Sequence, residues 1–215
     1  MVTTVPGSEF LTSSLNAISQ GLQIPVIILL LLFALAAIIM LGGLISEYTA
    51  RIKVSMDVVE KLVFNITDAN SLDDVKQIVE EAKIPKSQKL VLMKVIRAGR
   101  LTKDARVALA RKLIESEEEG FQKSLSRTDI IIRIGPTLGL MGTLIPMGPG
   151  LAALGAGDIN TLANSIIVAF DTTVVGIGSG AVAYFVSKVR SGWYDEYLSN
   201  LDVLVDTLID KLDHL

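Results

Sequence analysis

The stretch Ile24 to Ile45, "IPVIILLLLFALAAIIMLGGLI", runs for 22 residues without a charge. A helix rises about 1.5 Å per residue and the hydrocarbon core of a bilayer is about 30 Å thick, so this run has the length of a membrane span. In hydrocarbon every backbone N–H and C=O must be paired within the protein, which a single segment achieves only as a helix. The remaining apolar residues of the chain then have to be arranged around the same bilayer.

Two further stretches have a suitable length. Ile130 to Leu154 is interrupted only by Arg133, near one end, where a long side chain carries its charge to the headgroups and marks a cytoplasmic entrance. Leu162 to Val186 contains a single charge, Asp171. Composition agrees: 50% of the 215 residues are hydrophobic, which is high for a soluble domain when the residues are concentrated in blocks. A signal-peptide reading of the first segment is set aside, because residues 1–23 contain no Lys or Arg and the apolar run exceeds a usual h-region.

Charge orients the spans. All 20 Lys and Arg residues lie between Arg51 and Arg133 or from Lys188 onward, and none falls in residues 1–50 or 151–162. The positive-inside rule therefore predicts an outside amino terminus and a cytoplasmic carboxyl terminus. The boundaries follow: an external segment over 1–23, the first transmembrane helix over 24–48, a cytoplasmic helical segment over 49–128, a transmembrane hairpin over 129–192 and a cytoplasmic amphipathic tail over 193–215. The fold class is an all-α membrane protein, with three transmembrane helices extended into a cytoplasmic helical bundle, and oligomeric.

The cytoplasmic segment reads as helical packing surface. "DVVEKLVFNI" is predicted to continue as an amphipathic helix past the first span, "SLDDVKQIVEEAKI" opens with a Ser cap and acids in its first turn, and Pro85 interrupts it. Val107, Leu109, Leu113 and Ile114 form an expected buried stripe, with Glu115, Glu117, Glu118 and Glu119 on a solvated face. In the tail, Tyr197, Leu201, Leu204, Leu208, Leu212 and Leu215 alternate by three and four, as bundle-facing residues do. The chain has no cysteine and one histidine, His214, so thiol chemistry, zinc hydrolysis and a Ser-His-Asp triad are not expected, nor is any metal site or cofactor. A formal charge of -3 argues against nucleic acid as a partner. The expected partners are membrane lipid and other proteins, and enzymatic activity is not expected.

The hairpin differs from the first span in composition. Its first helix carries Gly135, Gly139, Gly142, Gly148 and Gly150 with Pro136, Pro146 and Pro149, a set that suits burial against protein. Its second helix presents Ser165, Ala169, Thr172, Gly176, Ser179, Ala183 and Ser187 at alternating steps of four and three. Gly176 with Gly180 adds a small-xxx-small pair. Such a stripe is either a close helix seam or a pore wall. "GIGSGA" lies inside this apolar helix and does not follow a strand, so it is no phosphate loop. Asp171 sits near mid-span, where an ionised acid costs about 2.5 to 3.5 kcal/mol and needs water or a partner. It is either a titratable relay, with Thr143, Thr172 and Thr173 lining an ion pathway beside it, or a structural hydrogen bond between helices.

"GPTLGLMGTL" (135–144) followed by "IIVAFDTTVVGIGSGAVAYFV" (166–186) resembles the paired signature of the MotA/TolQ/ExbB proton channel family. Three spans with the amino terminus outside are similar to its TolQ/ExbB branch. The likeness is close over 127–192 and elsewhere rests on topology. It implies a channel subunit of an ion-driven motor in a prokaryotic inner membrane. Five copies would surround a dimer of a single-span ExbD/TolR-like partner, and proton flux would drive work or transport. By the same resemblance Pro136 opens the second-helix motif, Thr143 is its pore threonine, and Thr173 is the pore threonine three residues before Gly176. The family's third-helix glutamate falls on Val168, a departure, and Asp171, one turn further, stands as its replacement. The transported ion is a proton or sodium. The competing class is a membrane scaffold that conducts nothing.

Overall fold

The computed structural model describes residues 8–214. Expectations placed on residues 1–7 and on Leu215 lie outside them. Seven helices follow in order: α1 Ser8–Gly21, α2 Gln23–Ala50, α3 Met56–Asp68, α4 Leu72–Glu81, α5 Lys86–Arg97, α6 Lys103–Gly155 and α7 Ile159–His214, with a 3-10 turn at Ala98–Arg100. Among the described residues there is no strand. Three helical stretches are long and apolar enough to cross a membrane: Glu9–Ala50, Lys103–Gly155 and Ile159–His214. The chain divides into two compact units, one formed by the chain up to Ile45 with Ser126–Lys188, the other by Ser46–Leu125 with Val189–Leu215.

In the first unit α2 packs on the hairpin of α6 and α7. Val26 and Leu30 of α2 are buried with Leu138 and Ile145 of α6, and Phe33, Met141 and Val175 close the cluster. The hairpin loop is short because the sequence supplies its turn. Gly157 takes φ +85°, the left-handed conformation that ends helices, and the Asp158 amide donates back to the Ala153 carbonyl at 2.9 Å. Asp158 then caps α7, its Oδ1 accepting from the Thr161 amide at 3.0 Å. Pro136, Pro146 and Pro149 all lie inside α6. Each withholds an amide from the carbonyl four residues earlier, yet the helix continues through them.

Helix α1 was not foreseen. Its Ser, Thr and Asn residues favour caps and turns over helix interiors, and they obscure the spacing of Leu11, Leu15, Ile18 and Leu22. Backbone bonding carries the helix through Leu22, whose amide donates to Ile18 and whose carbonyl accepts from Val26.

The second unit has a conventional core. Val59, Leu62 and Ile66 of α3, Val75 and Val79 of α4, and Val91, Leu92, Val95 and Ile96 of α5 are buried together with Leu201, Leu204, Val205, Leu208 and Ile209 of α7. The Leu201, Leu204 and Leu208 stripe thus faces the core, with Tyr197 and Leu212 packed at its ends. Ser71 caps α4, its hydroxyl accepting from the Asp74 amide at 3.2 Å. Pro85 stands immediately before α5, where a missing N–H costs nothing.

Two expectations require correction. "DVVEKLVFNI" does not continue from the first span: residues 51–55 are non-helical, and α3 begins afresh at Met56. Arg51 instead pairs with Glu196 at 2.6 Å and lies over the Trp193 ring, while Val54 turns into the core. Leu109 is 37% exposed, so the buried face of α6 runs through Ala110 and the buried Arg106, with Val107, Leu113 and Ile114 packed against it. Of the four glutamates, Glu115, Glu118 and Glu119 are exposed, and half-buried Glu117 accepts from the Tyr197 hydroxyl at 3.0 Å.

Arg106 is the polar clamp of this unit. It is 5% exposed, and its guanidinium donates to Asp213 at 2.9 Å and to the Leu101 carbonyl at 3.2 Å. The Lys103 ammonium hydrogen-bonded to Asp213, assisted by Arg106, holds that carboxyl below the usual carboxylate range. A depressed folded value means that this contribution is fully present above the ordinary carboxylate pKa and is lost as pH falls through the lowered one. Arg106→Met keeps the aliphatic stem and removes the donors, so it is expected to destabilise the full chain by about 2 to 4 kcal/mol. Thermal unfolding in detergent checks this, and an unchanged midpoint would show that the clamp contributes nothing.

Candidate functional site

The site is built on the line where α6 meets α7. A Cβ placed on Gly176 would lie 2.6 Å from the Gly135 carbonyl oxygen and 2.8 Å from the Gly139 Cα. One on Gly142 would lie 2.6 Å from the Thr172 Cβ, and one on Gly150 would lie 2.9 Å from the Ser165 Cβ. Separations below 3.0 Å are sterically closed, so at Gly176 the two backbones touch because a side chain is missing, while Gly142 and Gly150 make room for the Thr172 and Ser165 side chains. Pro136 is exposed, but its ring edge fills the space beside Gly180, where a Cβ would meet Cγ and Cδ at 3.1 Å. Ala169, Thr172, Gly176, Ser179, Gly180 and Ala183 are all buried, with Ser165 and Ser187 half-buried. Within this unit the small stripe is therefore a seam between two helices of one chain. Gly150, one of the five glycines expected to face protein, belongs to it as well, against Ser165. Gly148 and Gly178 meet nothing within 4 Å.

The seam sorts the polar residues onto different faces. Successive residues turn about 100° around a helix, so Asp171, Thr172 and Thr173 cannot share one direction. Thr172 points into the seam, and its hydroxyl donates to the carbonyls of Val168 at 2.9 Å and Ala169 at 3.0 Å. Thr173 is half-buried and donates to the Ala169 carbonyl at 2.9 Å. Thr143, also half-buried, donates to the Leu140 carbonyl at 2.7 Å. Each of these hydroxyl protons is committed to its own helix, and the oxygens offer lone pairs. Asp171 turns away from Thr173 and is exposed beside a groove lined by Ile27, Leu30 and Leu31 of α2 and by Thr172 and Val175 of α7. Among the described residues it has no hydrogen-bonded or ion-paired partner. Arg133 is exposed, and its carbonyl accepts from Thr137 at 3.0 Å.

The second unit holds a cavity of about 370 Å³ lined by Arg51, Gln88, Phe121, Trp193 and Tyr197 among others. Two of its charged lining residues are paired, Arg51 with Glu196 and Glu47 with Arg190 at 2.8 Å.

The glycine seam thus fixes two apolar helices and leaves the hydroxyls of Thr143 and Thr173 half-buried at its edge. The model of one protein family, described as the MotA/TolQ/ExbB proton channel family, matches residues 71–202, well over half of the chain. The chain belongs to the MotA/TolQ/ExbB proton channel family. No curated protein and no solved structure matches it.

Members of the MotA/TolQ/ExbB family form oligomeric channels in the membrane with partner proteins. In the present member the matched region includes the whole seam, from Gly135 to Ala183. Val168, where the resemblance places a glutamate, is half-buried and supplies only its carbonyl, to Thr172. Gly176→Ala forces a Cβ against backbone and is expected to destabilise the hairpin by about 1 to 3 kcal/mol. Gly178→Ala meets open space inside the same helix and is expected to be neutral or to stabilise by about 0.5 to 1 kcal/mol. Paired thermal unfolding curves in detergent check the contrast, and equal shifts for the two variants would show that the seam is not the tight contact.

Proposed function

We propose that the chain is the channel subunit of an ion-driven membrane motor complex of the TolQ/ExbB-like branch. Copies of it, five by the family resemblance, surround a dimer of a single-span ExbD/TolR-like partner. Flux of protons or sodium is converted there into mechanical work or transport. The three spans and the distribution of Lys and Arg support a multi-pass inner-membrane protein with the amino terminus outside and the carboxyl terminus cytoplasmic.

The observation that carries this reading is the pair Thr143 and Thr173. Both are half-buried at the edge of the seam, and both have spent their proton on their own helix. What they present to a passing ion is therefore lone pairs, which suit sodium, hydronium or a protonated carboxyl of the partner. Asp171 is the titratable relay, and Arg133 marks the cytoplasmic entrance. Thr172 lines the pathway only through the seam, by fixing α7 against Gly142.

Flux measured in vesicles containing the chain and a single-span, Asp-bearing partner tests the proposal. Thr173→Val keeps the shape and removes the lone pairs, and flux is expected to fall about ten-fold, equivalent to about 1.4 kcal/mol at the barrier. Asp171→Asn is expected to abolish the relay with assembly intact. Flux unchanged in both variants would leave the non-conducting scaffold as the surviving reading.

A further inference from the structure

The cavity of about 370 Å³ in the second unit takes no part in the seam between α6 and α7. Its depth follows from the chain itself. Arg51 comes after the apolar run that ends at Ile45, and Trp193 after the one that ends at Val186, each within two helical turns. At about 1.5 Å per residue both stand within about 10 Å of those ends, where their side chains reach the headgroup layer. The aromatic residues agree. Tyr48 and Trp193 pack with ring centroids 6.2 Å apart, and tyrosine and tryptophan favour that depth.

The lining makes three demands on an occupant. Ile52, Val54, Phe121 and Trp193 give it apolar walls, which call for an apolar body. Among them stand Glu47, Arg51, Lys86 and Glu196. Glu47 is held by Arg190 and Glu196 by Arg51, whose Nη2 alone is engaged in that bond. Lys86 is exposed and has no ion pair among the described residues, so one positive charge is left over, and it calls for an anion. Gln88 makes the third demand. It lines the cavity at 0% exposure, its Nε2 donates to the Tyr197 carbonyl at 3.0 Å, and its Oε1 has no partner among the described residues. Buried acceptors without a donor are rare, so a donor is missing. A cationic donor would oppose the charge of Lys86, which leaves a hydroxyl.

We propose that this cavity binds the headgroup end of an anionic phospholipid that carries a free hydroxyl, as a glycerol phosphodiester does. The phosphate lies toward Lys86 and the unengaged side of the Arg51 guanidinium. A headgroup hydroxyl entering the wall donates to the Gln88 Oε1, and the glycerol backbone and first acyl carbons lie along Ile52 and Trp193. A soluble glycerol phosphate supplies the same charge and hydroxyls but leaves the apolar walls uncovered. The bound lipid touches the non-helical residues 51–55 and the Trp193 turn of α7 together, so membrane composition sets how firmly they are held. The site rests on the membrane-spanning reading of α2 and α7 and on no assumption about conduction.

Trp193 is the only tryptophan of the chain, so its fluorescence reports this cavity alone. The full chain in detergent is titrated with phosphatidylglycerol, with phosphatidylmethanol, which has the same charge and no headgroup hydroxyl, and with zwitterionic phosphatidylethanolamine. Phosphatidylglycerol is expected to shift the emission and to saturate at a single site per chain. Phosphatidylmethanol is expected to bind about ten-fold more weakly, the loss of one hydrogen bond, and phosphatidylethanolamine more weakly than phosphatidylglycerol. Gln88→Leu should bring the two anionic lipids level. Lys86→Glu, at an exposed position that leaves the packing intact, should weaken both about ten-fold, so the test does not depend on the buried variant folding. Four results would overturn the inference: emission that changes with lipid without saturating, displacement of the lipid by glycerol 3-phosphate, equal binding of the three lipids, or binding indifferent to Lys86→Glu. Because the readout needs no flux and no second protein, its failure leaves the channel reading standing, and the converse also holds.

Discussion

Everything polar in the membrane-level unit is placed by one steric fact, the backbone contact of α6 with α7. Gly176 leaves no room for a Cβ against the backbone of Gly135 and Gly139, and Gly142 leaves none against the Thr172 side chain. In hydrocarbon there is no hydrophobic drive to bring helices together, so dispersion across such a close approach has to supply it. The contact also fixes rotation. Once Gly142 is set against Thr172, the outward directions of Thr143, Thr173 and Asp171 are determined by about 100° per residue, and none can move without opening the seam. Prolines in α6 are tolerated for the same reason, since the packed neighbour holds a helix whose own ladder has been interrupted.

The stripe of small residues was legible in the sequence because alternating steps of four and three are a one-dimensional record of a helix face. Its meaning was not. A pore wall and a helix seam both demand small side chains, and only the distance from Gly176 to the Gly135 carbonyl separates them. The spans were legible for a similar reason, since length and charge are properties of the chain itself. Features that depended on a distant partner were hidden. Arg51 leaves the helical path where Glu196 and Trp193, well over a hundred residues away, hold its side chain. Leu109 loses a place in the core to Ala110, because Arg106 needs that side of α6 to reach Asp213. Grouping Asp171, Thr172 and Thr173 by adjacency alone overlooked helical rotation, which the sequence did contain.

The hydroxyls of this unit behave alike. Thr137, Thr143, Thr172, Thr173 and Ser179 all donate to a carbonyl three or four residues earlier. Each is thereby quiet as a donor and available as an acceptor, a polarity that favours cations and proton donors over anions. A membrane helix can carry many such groups cheaply because the donated bond removes most of the desolvation cost. The acceptor character of these hydroxyls is thus a by-product of how threonine survives in an apolar helix.

An acid at position 171 and one at position 168, where the resemblance places the family's glutamate, would stand in different surroundings. Three residues are about 300° of rotation, so the carboxyl moves one turn along α7 and about 60° around it. Val168 is half-buried and close to the seam, whereas Asp171 stands clear in the groove beside Ile27, Leu30 and Leu31. A charge inside the chain's own packing acts first on that packing, whereas a charge on the outer face acts on whatever covers it. The exposed carboxyl of Asp171 is therefore placed to act outside the chain's own seam.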